Sequence, residues 1–89
     1  MITKGFVGSY SDEVALDATI PGQCMYLFCG TGGDIVWQNN KGEAQYLPGA
    51  QAGQAYPIGA VKVLTNGTVN GTPRTTTASG FFFIGGTYP

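Results

Sequence analysis

Histidine is absent from this 89-residue chain and charge is scarce, with four Lys or Arg and five Asp or Glu making up 10% of the residues and a net charge of −1. An average soluble domain carries about 25% charged residues. Without imidazole, the usual general base at neutral pH is missing, and so is the commonest metal ligand. The four cations, Lys4, Lys41, Lys62 and Arg74, are scattered. They form no basic patch to neutralise a phosphate backbone, so nucleic-acid binding is not expected. The longest uninterrupted apolar run, Cys24 to Cys29, falls far short of the roughly 18–20 residues that cross a bilayer. The N-terminus has no apolar core of signal-peptide length, so the chain is expected to be made and kept on the cytosolic side, or released by lysis.

Cysteine is nearly absent too. Cys24 and Cys29 match no zinc spacing. Five residues apart on an intact strand, their thiols would face opposite sides about 16 Å apart, too far to bridge. They read as buried free thiols. A chain this short buries only roughly 60–65% of its unfolded surface. With disulfides and metals set aside, self-association is the remaining source of support.

Glycine, threonine and aromatics are plentiful. The stretch Cys24 to Trp37 joins an apolar run to Gly30-Thr31-Gly32-Gly33 and then to Asp34-Ile35-Val36-Trp37. It predicts two antiparallel strands joined by a short loop, with Met25 to Phe28 as a central strand covered on both faces. Val14, Leu16, Ala18 and Ile20 alternate with period two, which favours a strand over a helix. Pro21-Gly22 then marks a turn.

Further strands are predicted at Glu43 to Leu47, Ile58 to Leu64, Arg74 to Thr77 and Phe81 to Ile84. Between them lie a polar turn at Gln38 to Gly42, a loop at Pro48 to Gly53, and two turn dipeptides, Asn66-Gly67 and Asn70-Gly71. Strand signals at this spacing predict an all-β chain, a small antiparallel β-sandwich or flattened barrel of about seven short strands. The predicted core is Leu16, Ile20, Met25, Leu27, Ile35, Val61, Val63, Phe82 and Ile84. Residues 1–12 read as an N-terminal arm and 13–89 as a single domain.

Catalytic chemistry finds little support. Ser9, Ser11 and Ser79 have no evident activating partner, and Asp12 and Asp34 read as turn-forming acids. The Gly30 to Gly33 run lacks the Gly-Lys-Ser/Thr ending of a phosphate loop. Asn66-Gly-Thr68 and Asn70-Gly-Thr72 match a glycosylation sequon but already serve as turn signals. No enzyme activity, cofactor or metal is expected. The surviving binding readings are two. Trp37 and Tyr46, beside Gln38, Asn39 and Asn40, have the composition of a sugar-stacking platform, the lectin-like alternative. Phe6, Val7 and Tyr10 on the arm, with Arg74, Thr75, Thr76 and Thr77 on a threonine-rich strand, are candidates for contact with other protein through ordering of the arm and strand addition.

The order of pieces (an apolar strand, Gly-Thr-Gly-Gly-Asp-Ile, a polar hairpin, a Gly/Pro loop, Tyr56-Pro-Ile58, Val61-Lys-Val-Leu-Thr-Asn-Gly-Thr68 and a short aromatic terminal strand) resembles the small β-sandwich virion proteins of tailed bacteriophages. The nearest pattern is the spike-base family of phages and gene-transfer agents. The likeness covers about Ile20 to Ile84. The stretch from Asn66 to Ser79 is longer than that family's, and the arm has no counterpart. The resemblance implies a non-enzymatic subunit that decorates a capsid or forms a spike base. It also implies a virion location after assembly in the host cytoplasm, contact with capsid or other virion proteins, and self-association as a trimer or ring.

Overall fold

The computed structural model describes residues 10–20 and 24–85. Eight strands follow in order: β1 (Tyr10–Val14), β2 (Cys24–Thr31), β3 (Gly33–Gln38), β4 (Ala44–Ala50), β5 (Lys62–Leu64), β6 (Asn66–Val69), β7 (Thr72–Thr75) and β8 (Ser79–Gly85). No helix occurs among the described residues. The strands form three antiparallel sheets, β1-β8-β2, β4-β3-β5 and the hairpin β6-β7. The all-β expectation holds.

The two three-stranded sheets face each other across one core. The first contributes Cys24, Leu27, Cys29, Phe81 and Phe83, and the second Ile35, Ala50 and Val63. Connecting segments add Ile20, Ile58, Ala60 and Ala78, with Val14, Trp37, Leu47 and Tyr56 packed around them. The sheets are also stitched at their edges. Residues between β4 and β5 cover the edge of β2: Leu27 and Tyr56 exchange backbone bonds of 2.9 Å, and Gly53 donates to the Cys29 carbonyl. Residues between β1 and β2 cover the edge of β5: Asp17 N–H reaches the Val63 carbonyl and Ile20 N–H the Val61 carbonyl, both at 2.7 Å. Each sheet's loop thus satisfies the other sheet's edge, which gives the sandwich its flattened-barrel character and removes two exposed ladders.

Several expectations are corrected. β2 and β3 do not pair. β2 pairs β8, while β3 lies between β4 and β5. The glycine run is therefore a corner where the chain changes sheets, and a Cβ at Gly32 would stand 2.7 Å from the Ala50 carbonyl oxygen. A glycine-rich link between two strands looks alike in sequence whether they pair or pack. The central strands are β8 and β3, and β8 is the one strand that pairs with β2.

The register of β2 shifts between Cys24 and Tyr26. Met25 is the additional residue of this bulge, and an added residue flips the side-chain parity. Both Cys24 and Cys29 consequently face the core, 4% and 1% exposed, and Met25 turns outward at 48%. The thiols are free and on the same side, not opposite ones.

The predicted strand through Val14, Leu16 and Ile20 stops at Val14. Asp17 takes a left-handed φ of 63°, and Leu16 is exposed. On β8 the buried phase is Phe81 and Phe83, with Phe82 exposed and Ile84 half-buried. A run apolar at four successive positions carries no phase information. Val61 is half-buried, whereas Ile20, Leu27, Ile35 and Val63 are buried as expected. The strand predicted over Ile58 to Leu64 shrinks to Lys62–Leu64, and β4 continues through Pro48 and Gly49 to Ala50 by a register shift. The domain boundary moves as well: Tyr10, Ser11 and Asp12, read as arm, are paired strand residues.

Candidate interaction surface

Of the arm residues singled out by sequence, Phe6 and Val7 lie outside the described residues, and Tyr10 pairs with Gly85 at the start of β1. The threonine-rich strand divides in two. Arg74 and Thr75 lie on β7, which is exposed along its length. Thr76 and Thr77 are committed within the chain, a correction to their reading as a strand edge open to a partner.

The Thr76 hydroxyl accepts the Val36 N–H at 2.9 Å and donates to the Leu64 carbonyl at 2.6 Å. It relays a ladder bond between β3 and β5. Thr77 Oγ1 accepts the Asp34 N–H at 2.8 Å, while the Thr77 and Ala78 N–H groups return to the Asp34 carbonyl. Hydroxyl side chains readily substitute for backbone partners where a chain crosses a ladder.

These bonds anchor the hairpin β6-β7 over the outer face of β4-β3-β5. The register aligns Tyr46, Val36 and Leu64 in one row on that face. Gly67 on β6 sits above Val36 and Leu64 of that row, and above Ala44. A Cβ there would lie 3.3 Å from both the Val36 Cγ1 and the Ala44 Cβ, so glycine lets the hairpin approach without displacing either side chain. Val36 is completely buried as a result. At the margin, the Tyr46 hydroxyl donates to Asp34 Oδ2 at 3.0 Å, and the Arg74 guanidinium lies 4.5 Å from the centre of the Tyr46 ring. The Tyr46 phenol is raised above its ordinary value, first by that bond to the Asp34 carboxylate, with Arg74 acting in the opposite direction. Asp34 Oδ1 also accepts the Gly49 N–H. Both Asp34 carboxylate oxygens and the Tyr46, Thr76 and Thr77 hydroxyls thus have partners within the chain.

Trp37 and Tyr46 do not form a joint platform. Trp37 is opposite Gln45 and Val63, and Tyr46 is opposite Val36. Successive positions along a strand point to opposite faces, so the indole turns toward the core and the phenol toward the hairpin.

The outer face of β1-β8-β2 is of another kind. Register places Phe82 beside Phe28, and Ile84 beside Tyr26. The Phe28 and Phe82 rings meet edge to face, with centroids 6.4 Å apart. Tyr26 is 41% exposed and Phe82 38%, and Met25 and Leu16 extend the apolar surface. At the end of β1, where the chain turns away at Ala15 and Leu16, an open groove of about 670 Å³ runs between Val14 to Leu16 and Ala78 to Phe82. Glu13, opposite Phe82 on β1, stands at its rim. The described cations, Lys41, Lys62 and Arg74, belong to the second sheet, its β3–β4 turn and the hairpin. The sequence reading missed this face because it placed Met25 and Phe82 inside. Nothing short of the bulge and the phase of β8 distinguishes the alternatives.

Among the described residues, no group of three His, Cys, Asp or Glu side chains is gathered to hold a metal. No family model matches the chain, and neither a curated protein nor a solved structure matches it.

Proposed function

We propose that the chain is a non-enzymatic structural subunit that self-associates and attaches to a larger shell, of the bacteriophage capsid-decorating or spike-base kind that its sequence resembles. The observation that carries this reading is the aromatic outer face of β1-β8-β2, where Tyr26 and Phe82 remain about two-fifths exposed in a chain with very little charge. Aromatic residues are enriched, and charged ones depleted, at the centres of protein–protein contacts. Cyclic self-association is the ordinary way for a small protomer to cover such a face. The glycan-binding alternative is not favoured, because Trp37 and Tyr46 occupy opposite faces of their sheet.

Light scattering on the purified protein tests the first half. We expect a ring or trimer that the Tyr26→Ser, Phe82→Ser double variant converts to a folded monomer. Mass spectrometry of particles released by the producing cells tests the second half. Absence of the chain from those particles, together with specific retention on a glycan array, would overturn the proposal.

A further inference from the structure

The tripeptide Asn-Gly-Thr occurs twice, at Asn66-Gly67-Thr68 and Asn70-Gly71-Thr72, and the fold treats the two copies differently. Asn66 and Gly67 lie within β6, paired with Thr75 and Arg74. Gly67 is wedged against Val36, Ala44 and Leu64. Asn70 and Gly71 are the two-residue connection of the hairpin, with φ of 51° and 80°. Two successive left-handed residues are what a tight type I′ connection requires. Both are exposed, and nothing lies within 4 Å of where a Gly71 Cβ would be.

We propose that Asn70 is a site of spontaneous deamidation, selected over Asn66 by the fold alone. The Gly71 backbone nitrogen, after losing its proton to hydroxide, attacks the Asn70 side-chain carbonyl carbon. The bond from that carbon to the side-chain nitrogen breaks, ammonia departs, and a five-membered succinimide remains. Water then adds to one of the two ring carbonyls and opens the ring to aspartate or isoaspartate. Hydroxide and water are the only co-reactants, and no oxidation or reduction takes place.

Ring closure requires the backbone at the asparagine to rotate until the next nitrogen reaches the side chain. Glycine offers no Cβ to obstruct that approach. At the tip this rotation involves two residues outside the ladder and displaces no packed neighbour. At Asn66 it must separate two strand pairs and lift Gly67 from Val36, which is a local unfolding event. Each conversion replaces a neutral amide by a carboxylate, taking the net charge from −1 one unit lower. The isoaspartyl product also lengthens the main chain by a methylene in a turn whose two-residue geometry sets the hairpin register. The inference does not depend on the assembly role.

The identical tripeptides supply an internal control. Tryptic cleavage after Lys62 and Arg74 releases one peptide containing both asparagines, and tandem mass spectrometry locates the amide-to-acid conversion within it. The protein is incubated at mildly alkaline pH, folded in one series and unfolded in guanidinium in the other. In the unfolded chain the two sites should react at similar rates. In the folded protein Asn70 should react at least about ten-fold faster than Asn66, because the latter waits for the hairpin to open. Comparable rates at the two sites in the folded protein, or a faster Asn66, would overturn the inference. So would an intact Asn70 in folded protein after the unfolded chain has fully converted.

Discussion

Both sheets of the sandwich carry apolar side chains on their outer faces, and the two faces meet opposite fates. Over β4-β3-β5 the chain supplies its own cover: the hairpin β6-β7 lies on Val36, Ala44 and Leu64, held by the Thr76 hydroxyl relay and seated by Gly67. Over β1-β8-β2, Phe82 and Tyr26 stay substantially exposed, with Phe28 and Ile84 beside them. The contrast teaches that this small domain closes one face by folding and leaves the other exposed, the face proposed above to be covered by association. Both routes remove apolar area from water and differ only in whether the covering atoms belong to the same chain.

The sharpest test lies across β8, whose successive phenylalanines sit on opposite sides of the sheet. Phe83→Ala should cost about 3–5 kcal/mol, because it empties a fully enclosed site between the sheets. Phe82→Ala should cost only about 1 kcal/mol, its ring being partly in water and held mainly by Phe28. Urea unfolding of the two variants at low protein concentration measures both. Equal losses would erase the distinction between inner and outer faces.

A smaller effect is expected from the cover itself. Thr76→Val keeps the volume but leaves the Val36 N–H and the Leu64 carbonyl without their relay. The cost should be about 1–3 kcal/mol. Hydrogen exchange at the Val36 amide should quicken while that at Leu27, in the other sheet, follows global unfolding. Uniform quickening would mean that the hairpin is not a separable layer.

The smallest effect concerns acid. Asp17, at the turn after β1, accepts from the Thr65 N–H at 3.0 Å and from the Thr65 hydroxyl. Those bonds, the side-chain one first and with a lesser contribution from Lys62, hold its carboxyl below the ordinary value of 3.8. A depressed folded value means stability that is fully present above 3.8 and is lost as pH falls through the folded value. Asp17→Asn tolerates the same left-handed backbone and removes the charge. Thermal unfolding of variant and parent should differ slightly at neutral pH and converge in acid. A gap that persists in acid would assign the difference to geometry instead of charge.

Much of the architecture was legible because it rests on local chemistry. The Asn39 turn was foreseen from its polar run, and its side chain caps the backbone at Lys41 and Glu43. Of two candidate dipeptides the structure uses Asn70-Gly71 for the reversal and threads Asn66-Gly67 through a strand. Strand partners were not legible, because the corner at Gly32 is specified by contact with Ala50, 18 residues further on. The outer aromatic face was hidden by two parity decisions, the Met25 bulge and the phase of Phe81 to Ile84, that only tertiary packing makes. Composition places Arg74 to Thr77 on a polar strand exposed on one face, although the Thr76 and Thr77 hydroxyls accept backbone N–H groups of β3.

The bulge at Met25 has a practical consequence. By reversing the parity of β2 it brings the chain's two thiols onto one buried side, where desolvation raises both above their ordinary value of 9.0. Neither is then a ready thiolate. A thiol reagent added to the folded protein can react only as fast as β2 parts from the core, so the labelling rate becomes a clock for the breathing of one strand. Two native thiols, placed by a single added residue, make the molecule its own gauge of opening without any introduced probe.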